Sequence, residues 1–243
     1  MGLEHIAAGY GIGMADLYLL GKSNGNGRSN GKGNGKAAVE IFKKRGVVIA
    51  RKKEKPELAV VIVDMQEDFL KLIPPEKMGV MIKNQINVIK YCAGESIPVV
   101  ALEACGYRIT IAELNCYFSQ LQIKTFGKRE NDGFTNSGFL GYLRELKVKR
   151  LFFMGVNAGA CVVDTAAGGL NSGFGVVTAE GVIAQPEHWD AILYRKLFGE
   201  KGRLYLDGGS YLEKGREVRI EAGNGDLVDR LVNYALNPST KFI

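Results

Sequence analysis

The stretch Ala59–Val63 reads AVVIV, five apolar residues with no polar break. A strand wetted on one face alternates polar and apolar positions. An unbroken run is instead the pattern of a strand buried on both faces, inside a parallel sheet covered by helices. The pattern recurs at Leu151–Val156 (LFFMGV) and at Ile97–Leu102, which carries Pro98 near its start. Helical spacing of apolar residues marks Lys77–Tyr91, Ile109–Leu121, Phe139–Leu146, Cys161–Asn171, Glu187–Leu197 and Leu227–Leu236. Gln122–Thr125 and Gly175–Thr178 read as further short strands, and Tyr211–Ile220 as a hairpin. Strands alternating with helices predict an α/β fold, a three-layer sandwich around a mostly parallel sheet. In such sheets ligands bind at the carboxyl ends of the strands.

The chain ahead of this pattern is different. Gly21–Lys36 reads GKSNGNGRSNGKGNGK, with no apolar residue, and separates a short apolar head, Ile6–Leu20, from the rest. Such a tract cannot bury a core. Ala38–Ile41 and Val47–Ala50 flank a Gly-containing turn and predict a hairpin. We therefore divide the chain into an N-terminal arm, residues 1–55, and an α/β domain, residues 56–243. The arm holds 11 Lys/Arg against 4 Asp/Glu, a net +7; the body holds 21 against 22, a net −1. A head too small to fold alone, on a tract spanning on the order of 20–25 Å as a coil, suits a homo-oligomer assembled through the arm; a dispensable tail is the alternative.

Several function classes are disfavoured. No apolar segment is long enough for a membrane span, and Met1–Leu20 lacks the basic start and apolar centre of a secretory leader. A cytoplasmic location is the expectation. The body shows no basic face, and the arm no interleaved aromatics, that would suit nucleic acid. The four cysteines form no Cys-x-x-Cys pair and there are two histidines, so neither a zinc site nor any other cofactor is expected.

Three polar residues stand where a site is expected. Asp64 follows the AVVIV strand directly, and Cys161 follows LFFMGV at the start of a helix. Lys128 lies in the loop before Phe139–Leu146. Taken singly, an Asp after a strand is as often a helix cap, a lone Cys is more often core, and a lone loop Lys is usually solvated. The words around them are VIVDMQEDF (Val61–Phe69), KRENDGFTNSGFLGYL (Lys128–Leu143), MGVNAGACVVDTA (Met154–Ala166) and GFGVVTAEGVIA (Gly173–Ala184). In this order they resemble the isochorismatase-like cysteine hydrolases, over residues 58–200. The resemblance implies a six-stranded parallel sheet, a catalytic triad of Asp64, Lys128 and Cys161, and a cis peptide between Val156 and Asn157. It also implies an oxyanion hole from the amides of Asn157 and Cys161. The metal cluster of nicotinamidases is not implied, because Leu70–Asn84 has neither Asp nor His. Isochorismatases proper cleave a vinyl ether without a cysteine, so Cys161 favours hydrolysis of a small-molecule amide, ureido or carbamoyl C–N bond.

The chemistry fits these residue types. A helix N-terminus and a nearby ammonium both favour thiolate, and Cys161 is expected to have both. Asp64 is placed to take the thiol proton and later to protonate the leaving amine. By the resemblance, Phe69, Tyr107 and Phe134 are candidate substrate contacts, with core packing the alternative for Phe69 and Phe134; the Asn157 side chain is another candidate, and Cys105 beside Tyr107 a weaker one. Gln66 and Asp68 are expected to brace the loop, and Arg108 and Arg129 to make surface ion pairs. An assembly protein that keeps the hydrolase fold with little activity is the alternative; the arm motivates it, and the complete triad weighs against it.

Overall fold

The computed structural model describes residues 39–44, 47–52, 56–189, 191–206, 209–220 and 225–237. By their contacts the residues form two units, Met1–Lys53 and Glu54–Ile243. In the first, β1 (Val39–Lys44) and β2 (Val47–Lys52) pair antiparallel, with Lys44 opposite Val47. This is the hairpin that the two β-branched runs predict. The head Ile6–Leu20 and the tract Gly21–Lys36 lie outside the described residues.

The second unit runs β3 (Leu58–Val63), α1 (Glu67–Leu70), α2 (Pro75–Glu95), β4 (Val99–Ala104), α3 (Ala112–Leu121), β5 (Lys124–Lys128) and α4 (Ser137–Leu146). Then come β6 (Arg150–Val156), a π-helical turn (Ala158–Val162) leading into α5 (Val163–Asn171), β7 (Gly175–Ala179) and β8 (Ile183–Ala184). It closes with α6 (Ile192–Lys201), β9 (Arg203–Tyr205), β10 (Ser210–Glu213), β11 (Arg216–Arg219) and α7 (Leu227–Leu236).

Among the described residues the sheet has nine strands, three more than the six-stranded parallel sheet that the resemblance implies, in the order β11-β10-β9-β7-β6-β3-β4-β5 with β8 beside β6. The row from β9 to β5 is parallel throughout. The additional strands are β8, a parallel pair of residues, and the antiparallel hairpin β10–β11, which extends the edge at β9. Lys214 and Gly215 turn that hairpin at φ 52° and 75°, the left-handed pair that a two-residue hairpin loop needs. Helix α6 starts at Ile192, later than the expected Glu187, because Pro186–Trp189 closes a turn first (Trp189 N–H to Pro186 O, 3.1 Å).

Strand order decides where a ligand can sit. From β3 the chain moves outward through β4 to β5; from β6 it moves the other way through β7 to β9. β3 and β6 are neighbours, in register from Leu58↔Arg150 to Val63↔Gly155. Right-handed crossovers therefore place α2 and α3 on one face and α4, α5 and α6 on the other. Accordingly α2 packs on α3 and α7, and α5 on α6. The carboxyl ends of β3 and β6, where the sheet reverses direction, are where such folds place a ligand. All six residues of β3 and Leu151–Phe153 of β6 are fully buried, so the strands that lead to this place are core.

Close approach of the two strands has a specific requirement. Gly155 has φ +133°, and a Cβ there would overlap the Val63 carbonyl oxygen. Gly155→Ala is therefore expected to lower unfolding stability by about 2–4 kcal/mol, read as a reduced denaturation midpoint. Wild-type stability in this variant would show that the strands can separate at no cost.

Candidate active site

Asp64 is the first residue beyond β3. Its backbone is left-handed (φ 48°), which non-glycine residues rarely adopt. Its N–H donates to Leu102 O of β4 at 3.0 Å, and its carboxyl group is buried. Lys128 reaches it from β5, with Nζ 2.7 Å from Asp64 Oδ2, and is only 3% exposed. Lys128 Nζ also donates to Glu130 O at 3.1 Å. Lys128 is thus the last residue of a strand rather than part of a loop, which fixes where its side chain departs.

Cys161 sits in the π-helical turn that follows β6, after a cis peptide between Val156 and Asn157. Its thiol interacts with both Asp64 and Lys128. The same Sγ lies 3.5 Å from Asn131 Oδ1, to which it donates. The three triad candidates, from β3, β5 and the turn after β6, meet where the sheet reverses direction. Nearby, the Asn157 Oδ1 atom is buried without a hydrogen-bond partner, as is Asp64 Oδ1.

The electrostatics differ from the sequence expectation in one respect. The Cys161 thiol is pushed up to about 11, first by burial and then by the Asp64 carboxylate; Lys128 opposes this without overcoming it. Burial likewise raises Asp64, against the pull of Lys128. The resting nucleophile is therefore a thiol and not the thiolate that a helix start and a nearby ammonium suggest. Burial outweighs both neighbouring charges, and of the two the Asp64 carboxylate acts more strongly on the sulfur than the Lys128 ammonium. Cys92, wholly buried, is raised further by desolvation alone.

Residues around the triad divide into those brought to it and those held away. The Phe69 and Tyr107 rings pack against each other, tilted by 48° with centroids 4.7 Å apart, Tyr107 being 56% exposed. They stand on the two segments that Gln66 ties together. Its Oε1 accepts from Ala104 N–H (2.8 Å), and its Nε2 donates to Ala104 O and Arg108 O. Asp68 accepts from Arg108 N–H at 3.2 Å, and Arg108 pairs with Glu67. Gln66 and Asp68 thus brace the loop. Phe134, by contrast, packs on Phe139 (5.0 Å) and Phe174 (5.9 Å) and belongs to the core, not the pocket wall. Cys105 is exposed with its sulfur turned to Gly127, and Arg129 is exposed.

Asp68, the first acid after the opening motif's Glu67, is held by Lys71 (3.5 Å) and Arg108. Among the described residues no group of three His, Cys, Asp or Glu is placed to hold an ion.

Sequence reasoning misses Asn131, Asp164 and Thr165, although all three lie inside the quoted motifs. Thr165 Oγ1 is 2.7 Å from Cys161 O and 3.0 Å from Asn131 O, and it accepts from Gly133 N–H at 3.1 Å. Asn131 Nδ2 donates to Asp164 Oδ2 at 3.0 Å. The spacing Cys161-x-x-Asp164-Thr165 puts all three on one helical face, and that is the available signal.

The sequence matches the model of the Isochorismatase domain over residues 58–188. Among solved structures, an octameric hydrolase of unknown specificity from Escherichia coli is 18% identical, with a TM-score of 0.53 over 62% of this chain and 76% of that one. A nicotinamidase from Staphylococcus aureus is 17% identical (TM-score 0.52; 59% and 92% of the two chains). N-carbamoylsarcosine amidase from Thermoplasma acidophilum is 20% identical (TM-score 0.50; 61% and 94%). No functionally curated protein matches the sequence.

The coupling of thiol and carboxylate gives a signed expectation. Alkylation of Cys161 by iodoacetamide should rise with pH towards about 11. Asp64→Asn removes a cause that raises the thiol and should move the profile to lower pH; Lys128→Met should move it higher. Site-resolved mass spectrometry measures each profile, and a shift in the opposite direction for either variant contradicts the assignment.

Proposed function

The chain belongs to the isochorismatase family, and from that premise we propose that it hydrolyses a C–N bond of a small amide, ureido or carbamoyl compound through a thioester on Cys161. The observation that carries this reading is the buried Lys128–Asp64 pair at 2.7 Å in contact with the Cys161 thiol. The nicotinamidase and N-carbamoylsarcosine amidase that share the fold support C–N bonds as the target.

In this mechanism Asp64 accepts the thiol proton as Sγ forms a bond to the substrate carbonyl carbon. The oxygen of the tetrahedral intermediate meets the backbone N–H groups of Asn157 and Cys161, each worth on the order of 3 kcal/mol. Asp64 passes its proton to the departing nitrogen as the C–N bond breaks, leaving a thioester. A water, deprotonated by Asp64, then attacks the thioester and releases the acid and the thiol. Lys128 keeps Asp64 a base in surroundings that would otherwise protonate it. Phe69 and Tyr107 form an aromatic wall at the mouth, and the unpartnered Asn157 Oδ1 offers a further acceptor. Residues 1–55 serve assembly rather than chemistry.

An ammonia-release screen over carboxamides, ureas and carbamoyl compounds tests the reading. Cys161→Ala and Asp64→Asn should each reduce turnover by at least about 10³-fold with an unchanged circular dichroism spectrum, and Lys128→Met nearly as much. More than a few per cent of wild-type activity in the first two variants would sink the triad.

A further inference from the structure

Asn131 is held at three points, and they fix the way its side chain faces. Thr165 Oγ1 lies 3.0 Å from its carbonyl oxygen, its Nδ2 donates to Asp164 Oδ2 at 3.0 Å, and its Oδ1 lies 3.5 Å from Cys161 Sγ. An asparagine amide can be turned end for end until a partner discriminates between its oxygen and nitrogen. The Asp164 carboxylate accepts and does not donate, so it holds the NH₂ end and leaves the oxygen facing the sulfur. Asp164 and Thr165 follow Cys161 on the same helical face, so the nucleophile and the groups that orient Asn131 form one rigid unit.

An acceptor at this place has a definite reach. A sulfur attacking a carbonyl carbon is about 3–3.5 Å from it in a near-attack arrangement. The amide nitrogen lies one bond of about 1.3 Å beyond that carbon. An oxygen 3.5 Å from the sulfur, on the side towards which the nitrogen points, can then hydrogen-bond that nitrogen, or the nitrogen one bond further out when the sulfur attacks the methylene of a haloacetamide. Asn131 and Asp164 are both exposed, so this acceptor lies at the open side of the site and not in the sealed floor.

We propose that Asn131 Oδ1, oriented by Asp164, accepts an N–H of the scissile amide and makes the site selective for substrates that carry at least one hydrogen on that nitrogen. Primary amides and unsubstituted ureas qualify; fully N-substituted amides leave the oxygen facing an alkyl group. The selection rests on the hydrolytic reading and deepens it. It also links recognition to activation. The thiol has two acceptors, Asn131 Oδ1 and Asp64; a substrate N–H that occupies the first leaves the thiol hydrogen to Asp64.

The test compares two alkylating agents that differ only in the N–H group, iodoacetamide and 2-iodo-N,N-dimethylacetamide, on the whole protein. Rates at Cys161 are followed by peptide mass spectrometry, with the exposed Cys116 as the internal reference for intrinsic reactivity. Wild type should prefer iodoacetamide at Cys161 by about 5-fold or more beyond the ratio at Cys116, the size of one neutral hydrogen bond. Asn131→Ala should bring the Cys161 ratio down to that of Cys116. Asp164→Asn, nearly identical in shape, should give an intermediate ratio because the Asn131 amide is then free to turn over. A ratio unaffected by Asn131→Ala, with Cys161 still labelled, overturns the assignment of Asn131 and leaves the hydrolytic reading standing. If neither agent labels Cys161 while both label Cys116, both the assignment of Asn131 and the hydrolytic reading fall.

Discussion

The Asp64–Lys128 ion pair is the constraint on which the site depends. Both groups are almost completely buried, 2.7 Å apart, with no solvent to screen or hydrate them. Either charge alone in that position would cost several kcal/mol of desolvation, and removing one partner typically destabilises by about 3–5 kcal/mol. The pair therefore requires that β3 and β5 end at the same level on either side of β4, and the parallel register sets that level: Val63 lies opposite Leu102, and Ala104 opposite Lys128. Asp64 adds a left-handed backbone and a bond to Leu102 O to bring its carboxylate over the end of β4. The charge arrangement is a consequence of sheet register, not of flexible side chains finding one another.

On the other flank, β6 delivers the thiol. Because β3 and β6 are neighbours at the reversal point, the carboxylate and the sulfur leave adjacent strand ends and share one small volume. Burial and the Asp64 charge together keep the thiol protonated. In the proposed chemistry this is an advantage: the proton moves only when a carbonyl is in place to take the sulfur's electron pair, and Asp64, itself raised by burial, is a stronger base than an exposed carboxylate. A helix start and an ammonium nearby do not by themselves make a thiolate. Burial of the sulfur, reinforced by the Asp64 carboxylate, outweighs them.

The same geometry decides which parts of the fold are legible in the sequence. AVVIV and LFFMGV announce the two central strands because both faces of each are covered, and Asp64 and Cys161 are legible by their places just beyond those strands. Lys128 reads as a loop residue because β5 is an edge strand, KTFGK, whose Lys124, Thr125 and Gly127 are exposed and break any apolar run. β9 has three residues and β8 has two, too few for a period. Phe134 resembles a pocket wall by its place in the motif. Asp132 caps the following 3-10 turn by accepting from Phe134 N–H at 2.8 Å, and the ring is directed to Phe139, Phe174 and the flat surface left by Gly169. Asn131 gives no signal because its orientation is set by Asp164, 33 residues away in sequence.

The segment from Lys128 to Gly133 is laid along the helix that carries Cys161, and this makes the site rigid. Thr165 bridges the Cys161 and Asn131 carbonyls and receives Gly133 N–H. One turn further on, Gly168 has no side chain, and a Cβ there would collide with the Asp132 carboxylate; the small residue lets the segment lie against the helix. Lys128, at the start of the segment, is therefore fixed relative to Cys161 by packing and hydrogen bonds as well as by the sheet. The distances among carboxylate, ammonium and thiol are determined twice over, once by strand register and once by this helix contact. A site whose reacting groups must be held within a fraction of an ångström needs that redundancy, and here it is built from a threonine, a glycine and two short loop residues rather than from additional charged groups.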